Sequence, residues 1–155
     1  MRRKCLPAAA ATAAALAFAA PSHASLLPAE QSLLGEMNRV RAEHGLAPFQ
    51  IDPALERTAR AHSADMIRRD YFNHGALKSR LQAAGARGPI FGENLAWGVG
   101  PQAAAAAVVR LWMGSPGHRR NLLRPGFQRI GVAAPRGEFL GWRGARVVTL
   151  DFAGT

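Results

Sequence analysis

Cysteine is almost missing from this chain of 155 residues, since Cys5 is its only cysteine. Cys5 lies in a segment typical of a secretory signal peptide: a basic start, a short apolar run from Leu6 to Ala20, and a small-residue cleavage site that ends at Ala24. We expect cleavage after Ala24. The mature chain would then contain no thiol, no disulfide and no cysteine ligand for a metal.

A long apolar run is missing as well. The run before Pro21 is short of the roughly 20 apolar residues that a membrane-spanning helix needs. We therefore predict a signal peptide over residues 1–24 without a transmembrane anchor, followed by a single domain over residues 25–155, secreted outside the cell or into a periplasm. The pair Arg2-Arg3 is also compatible with twin-arginine export, although no Ser or Thr precedes it.

Acidic residues are scarce, with 10 Asp and Glu against 20 Lys and Arg, and a formal net charge of +10. Removing residues 1–24 would leave a net charge near +7, carried almost wholly by arginine. Such a domain could lie against anionic envelope polymers or lipids, or the arginines could simply form a solvated exterior. They are dispersed rather than interleaved with stacking aromatic residues, which argues against nucleic acid as a partner.

The periodicity of apolar residues predicts several helices and two strands. One helix runs from Pro28 to a glycine stop at Gly45, and a second starts at the Asp52-Pro53 cap and ends near Arg69. A short helix is predicted at 77–84 and a helical turn at 115–123. The helix predicted at 103–113 is apolar almost all round, so we expect it in the core. Strands are predicted at 128–134 and 146–153, joined by a hairpin that exposes Phe139 and Trp142.

Three residues in Gly-, Asn- or Pro-marked segments are the best candidates for a functional site: His74, Glu93 and His118. Two imidazoles and a carboxylate could bind Zn²⁺ or another divalent cation, transfer a proton, or line a cleft without any metal. They are too far apart in sequence for a local chelate, so the fold must bring them together. His62 shares an apolar helical line, which favours a core position over a ligand role.

The order of motifs resembles the CAP superfamily, in its bacterial SCP-like branch, which is related to cysteine-rich secretory proteins, insect venom antigens and plant pathogenesis-related proteins. The motifs that carry the resemblance are Tyr71-Phe72-x-His74, Gly92-Glu93-Asn94-Leu95-Ala96, Trp112-x-x-Ser115-Pro116-Gly117-His118-Arg119 and Ile130-Gly131-Val132. The resemblance spans nearly the whole mature chain. It implies an α+β fold, an α-β-α sandwich with a small central antiparallel sheet between helical layers and a cleft at one end.

The resemblance also implies roles for particular residues. His74 and His118 match the two cleft histidines of the superfamily, and Glu93 matches one of its two acids. The second acid would follow Trp112, where Met113-Gly114-Ser115 stands instead. The candidate cleft residues are therefore His74, Glu93, His118, Asn94, Ser115 and Arg119, of which His74, Glu93 and His118 are the candidate metal ligands.

These residues leave three functions open. The first is a monomeric secreted binding protein whose cleft receives a small ligand, a lipid or an envelope component, with or without a divalent metal. The second is a metal-dependent hydrolase with Glu93 as base, although no His-Glu-x-x-His motif is present. The third is a structural or host-contact module that uses its basic surface. Ser115 is expected to cap a helix rather than act as a nucleophile, because the Gly-x-Ser-x-Gly spacing is missing.

Overall fold

A computed structural model describes residues 26–154, and the predicted signal peptide, with its cleavage site after Ala24, lies outside these residues. The helices are α1 (Pro28–Glu43), α2 (Pro53–Arg69), α3 (Leu77–Ala83), α4 (Ala105–Met113) and α5 (Pro116–Leu122), with a 3₁₀ turn at Gly100–Ala103. The strands are β1 (Gln50–Ile51), β2 (Phe91–Gly98), β3 (Phe127–Ala133), β4 (Arg136–Phe139) and β5 (Trp142–Gly154).

The five strands form one sheet in the order β1-β3-β5-β2, with β4 paired to the first part of β5. All pairings are antiparallel except the short β1–β3 pair. Helix α2 packs against β3 and β5 on one face, whereas α1, α4 and α5 share an apolar core with the other face, centred on Trp112 and Phe152. This arrangement confirms the predicted α+β fold, an α-β-α sandwich.

The start of α2 follows from the sequence. Asp52 Oδ1 accepts hydrogen bonds from the backbone N–H groups of Ala54 at 2.8 Å and Leu55 at 3.3 Å, and Pro53 takes the first helical position. The analogous prediction for α5 is wrong in its detail: Ser115 occupies the N-cap position, but its side chain makes no capping hydrogen bond.

The structure adds a strand at the candidate site and corrects two further predictions. The segment around Glu93 is a strand, β2, that pairs along its whole length with β5. Helix α4 is not buried on every side, because Leu111 is 60% exposed. In the hairpin, Phe139 is fully buried, whereas Trp142 is exposed as predicted. No helix among residues 26–154 combines the length and apolar character that crossing a bilayer requires.

Candidate functional site

Glu93 lies at the centre of the candidate site. Strand β2 places its side chain between the sheet and the loop after α2, where it is 1% exposed. Its Oε1 accepts a hydrogen bond from His74 Nδ1 at 2.7 Å, and its Oε2 contacts the guanidinium of Arg80 on α3. The Arg80 guanidinium also donates to the carbonyl of His74. Arg80 therefore joins the loop to the carboxylate, a role that could not be recognised from the sequence.

A second buried acid, Asp151, faces Glu93 across the sheet. The two residues are register partners on β2 and β5, and Asp151 is fully buried. Its Oδ2 lies 2.7 Å from the hydroxyl of Thr58 on α2, which is also 2.8 Å from the carbonyl of Leu55. Its Oδ1 is buried and accepts no hydrogen bond from an N–H or O–H donor among residues 26–154. The site thus contains a second acid, contributed by the last strand rather than by the segment after Trp112.

Burial raises the pKa of both carboxyl groups, to about 7 for Glu93 and to about 8 for Asp151. The charge of Glu93 raises the pKa of Asp151 further, whereas the hydrogen bond between the two carboxyl groups lowers the pKa of Glu93. Arg80 opposes this effect, but one guanidinium balances only one carboxylate. The contacts of Glu93 are to a cation and a ring N–H, whereas Asp151 contacts a hydroxyl. We therefore assign the negative charge to Glu93 and the retained proton to Asp151.

Asp151→Asn is expected to weaken the dependence of stability on pH. An acid whose pKa is higher in the folded chain stabilises the fold below its unfolded pKa, and this contribution is lost as pH rises through the folded pKa. The wild type should lose up to about 1.4 kcal/mol of unfolding free energy per pH unit between the ordinary carboxyl range near pH 4 and the raised pKa of the pair. Urea unfolding between pH 4 and pH 9 measures the slope. An unchanged slope in Asp151→Asn would contradict the assignment.

Three histidines lie in and near the site, and burial favours the neutral form of each. Burial, assisted by the charge of Arg80, lowers the pKa of His62 to about 4 and also lowers the pKa of His74. Burial lowers the pKa of His118, with a further contribution from neighbouring His74. The His74–Glu93 contact is therefore a hydrogen bond from a neutral ring. Because Nδ1 carries the hydrogen, His74 Nε2 is left as an acceptor.

Asparagine side chains join α5 to the site strand. Asn94 donates to the carbonyl of His118 at 3.1 Å, while Asn121 donates to the carbonyl of Glu93 at 3.2 Å and to Asn94 Oδ1 at 2.9 Å. These bonds fix the position of His118, whose ring packs 6.5 Å from that of Trp112. Asn94 is fully buried, so its role is to position His118 rather than to contact a ligand.

The other predicted residues lie elsewhere or in other roles. Arg119 lines a hollow on the opposite side of α5, away from His118. Ser115 is half-buried at the start of α5 and makes no side-chain capping bond. His62 is 3% exposed and donates from Nε2 to the carbonyl of Asn73 at 3.0 Å, which supports the expected core position.

The arrangement does not fit a divalent metal. Both oxygens of Glu93 are engaged, one by His74 Nδ1 and one by Arg80, whose positive charge would repel a cation. Across residues 26–154, no three His, Cys, Asp or Glu side chains are placed so that they could hold a metal ion. A zinc site built from His74, Glu93 and His118 would require the loop and Arg80 to move away from the carboxylate.

A hollow of about 1050 Å³ adjoins the site. It runs along the second half of α2 and the following loop, and it reaches the acid pair through His62 and Arg80. His74 itself is more than half exposed beside it. Arg80, which lines the hollow, has its Nε buried without a hydrogen-bond partner among residues 26–154. His118 Nδ1 is likewise buried without a partner among these residues, but His118 does not line the hollow. Unpaired buried polar atoms of this kind are uncommon, so each is a candidate for a further hydrogen bond.

Comparison with known proteins accounts for the motifs. Residues 34–141 match the family described as CAP, the cysteine-rich secretory protein family. The chain belongs to the CAP family. Its bacterial branch is supported by two Bacillus subtilis proteins: the uncharacterized protein YkwD is 39% identical over 118 residues, and the uncharacterized membrane protein YlbC is 35% identical over 114 residues.

The CAP domain covers only part of these relatives. The aligned region is 73% of this chain but 44% of YkwD, and 69% of this chain but 32% of YlbC. Among solved structures, an extracellular SCP-domain protein of Bacillus anthracis is similar with a TM-score of 0.69 and 27% identity, over 85% of this chain and 45% of that one. An outer surface protein of Borrelia burgdorferi has the same TM-score at 19% identity, over 81% of this chain and 92% of that one, which shows the fold alone.

Proposed function

We propose that this CAP domain is a secreted binding protein whose cleft, centred on His74, Glu93 and His118, binds a small polar ligand of the cell envelope without a metal. The observations that support it best are the His74–Glu93 hydrogen bond and the two buried atoms that lack partners among residues 26–154, Arg80 Nε and His118 Nδ1. Secretion is supported by the predicted signal peptide and by relatives described as extracellular or outer-surface proteins.

The charges in the hollow indicate what the ligand carries. Arg68, Arg69 and Arg80 line it with Asp65, and Asp65 is already paired with Arg68 and Arg69. His74 Nε2 supplies an acceptor and Arg80 supplies donors. A fragment with an anionic group and a neighbouring hydroxyl or amide, as in peptidoglycan, would satisfy both.

A hydrolase would need a nucleophile or an activated water beside Glu93. The groups in contact with the Glu93 carboxylate are the donors His74 and Arg80, and the adjacent Asp151 is the acid to which we assign a proton. These contacts favour binding over base catalysis at Glu93.

Binding of soluble peptidoglycan fragments, followed by the proton and nitrogen resonances of labelled protein, tests the proposal. We expect shifts around His74, Arg80 and His118, and at least about tenfold weaker binding for His74→Ala, because a hydrogen-bonded group is lost from a desolvated site. His44→Ala is the matched control, since His44 is an exposed histidine at the end of α1. Equal affinities of His74→Ala and His44→Ala would contradict the proposal.

Titration of the metal-stripped protein with zinc chloride by calorimetry tests the absence of a metal. The heats for the wild type, His74→Ala and His118→Ala should be the same, because the Glu93 oxygens are already occupied. A heat that is present in the wild type and missing from both variants would show that Arg80 leaves the carboxylate and that a metal takes its place.

A further inference from the structure

The two most exposed large hydrophobic side chains of residues 26–154 line one hollow. They are Leu111 on α4, which is 60% exposed, and Trp142 at the start of β5, which is 55% exposed. Trp97, near the end of β2, and Gln102, in the 3₁₀ turn, line the same hollow, whose volume is about 520 Å³. It has no lining residue in common with the hollow beside Glu93. Exposed apolar side chains that share a concave surface are typical of a binding site.

One buried phenylalanine anchors both tryptophans. The Trp97 ring lies edge-to-face on the ring of Phe139, with 5.6 Å between the centroids. Trp142 is the register partner of Phe139 in the β4–β5 pair, and Phe139 is fully buried. The Trp97 ring and the backbone that carries Trp142 are therefore fixed before any ligand arrives, which lowers the entropic cost of binding.

The polar groups of this hollow are uncharged. No charged or histidine side chain lines it, although the chain contains 20 Lys and Arg. Within residues 26–154, the tryptophan whose side chain donates a hydrogen bond is Trp112, to the carbonyl of Leu95. The indole N–H groups of Trp97 and Trp142 are thus available to a ligand, and exposed Gln102 adds an amide donor and acceptor. A matching ligand is neutral, has an apolar face and accepts hydrogen bonds.

We propose that this hollow binds a neutral hexose ring of a glycan, with a C–H face of the sugar on the Trp142 indole and its hydroxyl groups at the Trp97 N–H and the Gln102 amide. A pyranose ring combines apolar C–H faces with a rim of uncharged hydroxyl groups. It therefore matches both the aromatic surface and the polar groups of the hollow. This site is independent of the cleft centred on His74, Glu93 and His118.

The other occupants of an apolar hollow fit less well. A hydrocarbon or an apolar peptide segment would cover the indole N–H groups without replacing their hydrogen bonds to water, at about 1–3 kcal/mol each. A second copy of the chain would bring a second positively charged domain against the first. The seven residues that line the hollow are also far fewer than the roughly 20–30 residues a side of a stable interface.

Titration with the N-acetylglucosamine trimer, followed by the indole N–H resonances of isotope-labelled protein, tests the proposal. The chain has three tryptophans, and fully buried Trp112 is the internal control. We expect saturable shifts of the Trp97 and Trp142 signals and none at Trp112. Hexanol, which has an apolar chain and a single hydroxyl, should shift them less at the same concentration. Equal shifts with hexanol, or no shift with the sugar, would overturn the proposal. Sugar-induced shifts at His74 and Arg80 instead of the tryptophans would place the glycan in the cleft and would also overturn this site.

Variants of the hairpin separate the hollow from its surroundings. Trp142→Ala should weaken binding of the trimer at least about tenfold, measured at the Trp97 indole, because the stacking surface is lost. Trp142→Tyr keeps an aromatic face and should stay within about threefold of the wild type. Leu140→Ala is the matched control, since Leu140 is an exposed apolar residue of the same hairpin that does not line the hollow. It should change the affinity less than about twofold, and circular dichroism checks that all three variants fold. Equal affinities of Trp142→Ala and Leu140→Ala would overturn the proposal.

Discussion

Gly131→Ala is expected to destabilise the domain more than a glycine-to-alanine substitution at any other position of the sheet. Gly131 lies on β3 where α2 crosses it, and an alanine methyl carbon would lie 2.1 Å from the backbone carbonyl carbon of Leu55, far inside van der Waals contact. Neither the helix backbone nor the central strand can move without breaking hydrogen bonds. We expect the free energy of unfolding to fall by about 3 kcal/mol or more.

The loss should reach the candidate site, because Gly131 is the register partner of Asp151 and the same turn of α2 carries Thr58. Moving α2 outward would lengthen the contact between Thr58 and Asp151. Gly35→Ala is the matched control: a methyl group there meets nothing within 4 Å, and the position is exposed in the middle of α1. It should be neutral or more stable by up to about 1 kcal/mol. Chemical denaturation of both variants tests the prediction, and similar stabilities would contradict it.

The elements that the sequence predicted well are those with local causes. Helix α2 begins at Asp52-Pro53 because a cap and a proline specify its start whatever lies around it, and its predicted end at Arg69 is also observed. Strands β3 and β5 were recognisable from alternating apolar residues.

Strand β2 could not be recognised in this way. It lies at one end of the main strand order and yet is buried from Gly92 to Ala96, so Glu93 and Asn94 occupy interior positions that alternation would assign to solvent. Their burial depends on partners from distant segments, namely His74, Arg80 and Asn121. The sequence could indicate that Glu93 mattered, but not that it lay in a sheet.

Asp151 was missed for a related reason. Strand β5 is buried on both faces. The residues that face α2 are therefore interior, as are Val148, Leu150 and Phe152 on the other face. Thr149 on that second face bonds to Ser63 of α2 at 2.7 Å. Thr149 and Asp151 are polar residues at alternate positions of a buried strand, and Thr58 and Ser63 lie opposite them, five residues apart on α2. This pattern was the available indication of a polar layer beneath the site.

Arg41 is an exception to the solvated exterior considered for the arginines. It is 1% exposed and ranks among the largest fully buried side chains of residues 26–154. Its guanidinium stacks 4.0 Å from the centre of the Phe49 ring. It donates to the carbonyls of Ala47 at 2.7 Å, Leu122 at 2.8 Å and Phe127 at 3.1 Å, so it joins the end of α1 to the end of α5 and the start of β3.

Arg41→Met is therefore expected to lower the free energy of unfolding by about 3 kcal/mol or more. Methionine fills much of the space of the arginine stem but donates no hydrogen bond, so carbonyls at the end of α5 would be buried without partners, each at about 1–3 kcal/mol. Arg57→Met, which removes an exposed arginine bonded only to the carbonyl of Ala84, should change stability by less than about 0.5 kcal/mol.

The consequence for function is a loosened α5. Because Arg41 holds the carbonyl of Leu122, and Asn94 holds the carbonyl of His118, α5 is fixed at two points along its length. In folded Arg41→Met, hydrogen exchange of the α5 amides should accelerate and the ring resonances of His118 should shift, whereas those of His74 on the other side of the site should not. Unchanged exchange in α5 would show that the Asn94 and Asn121 bonds alone position His118.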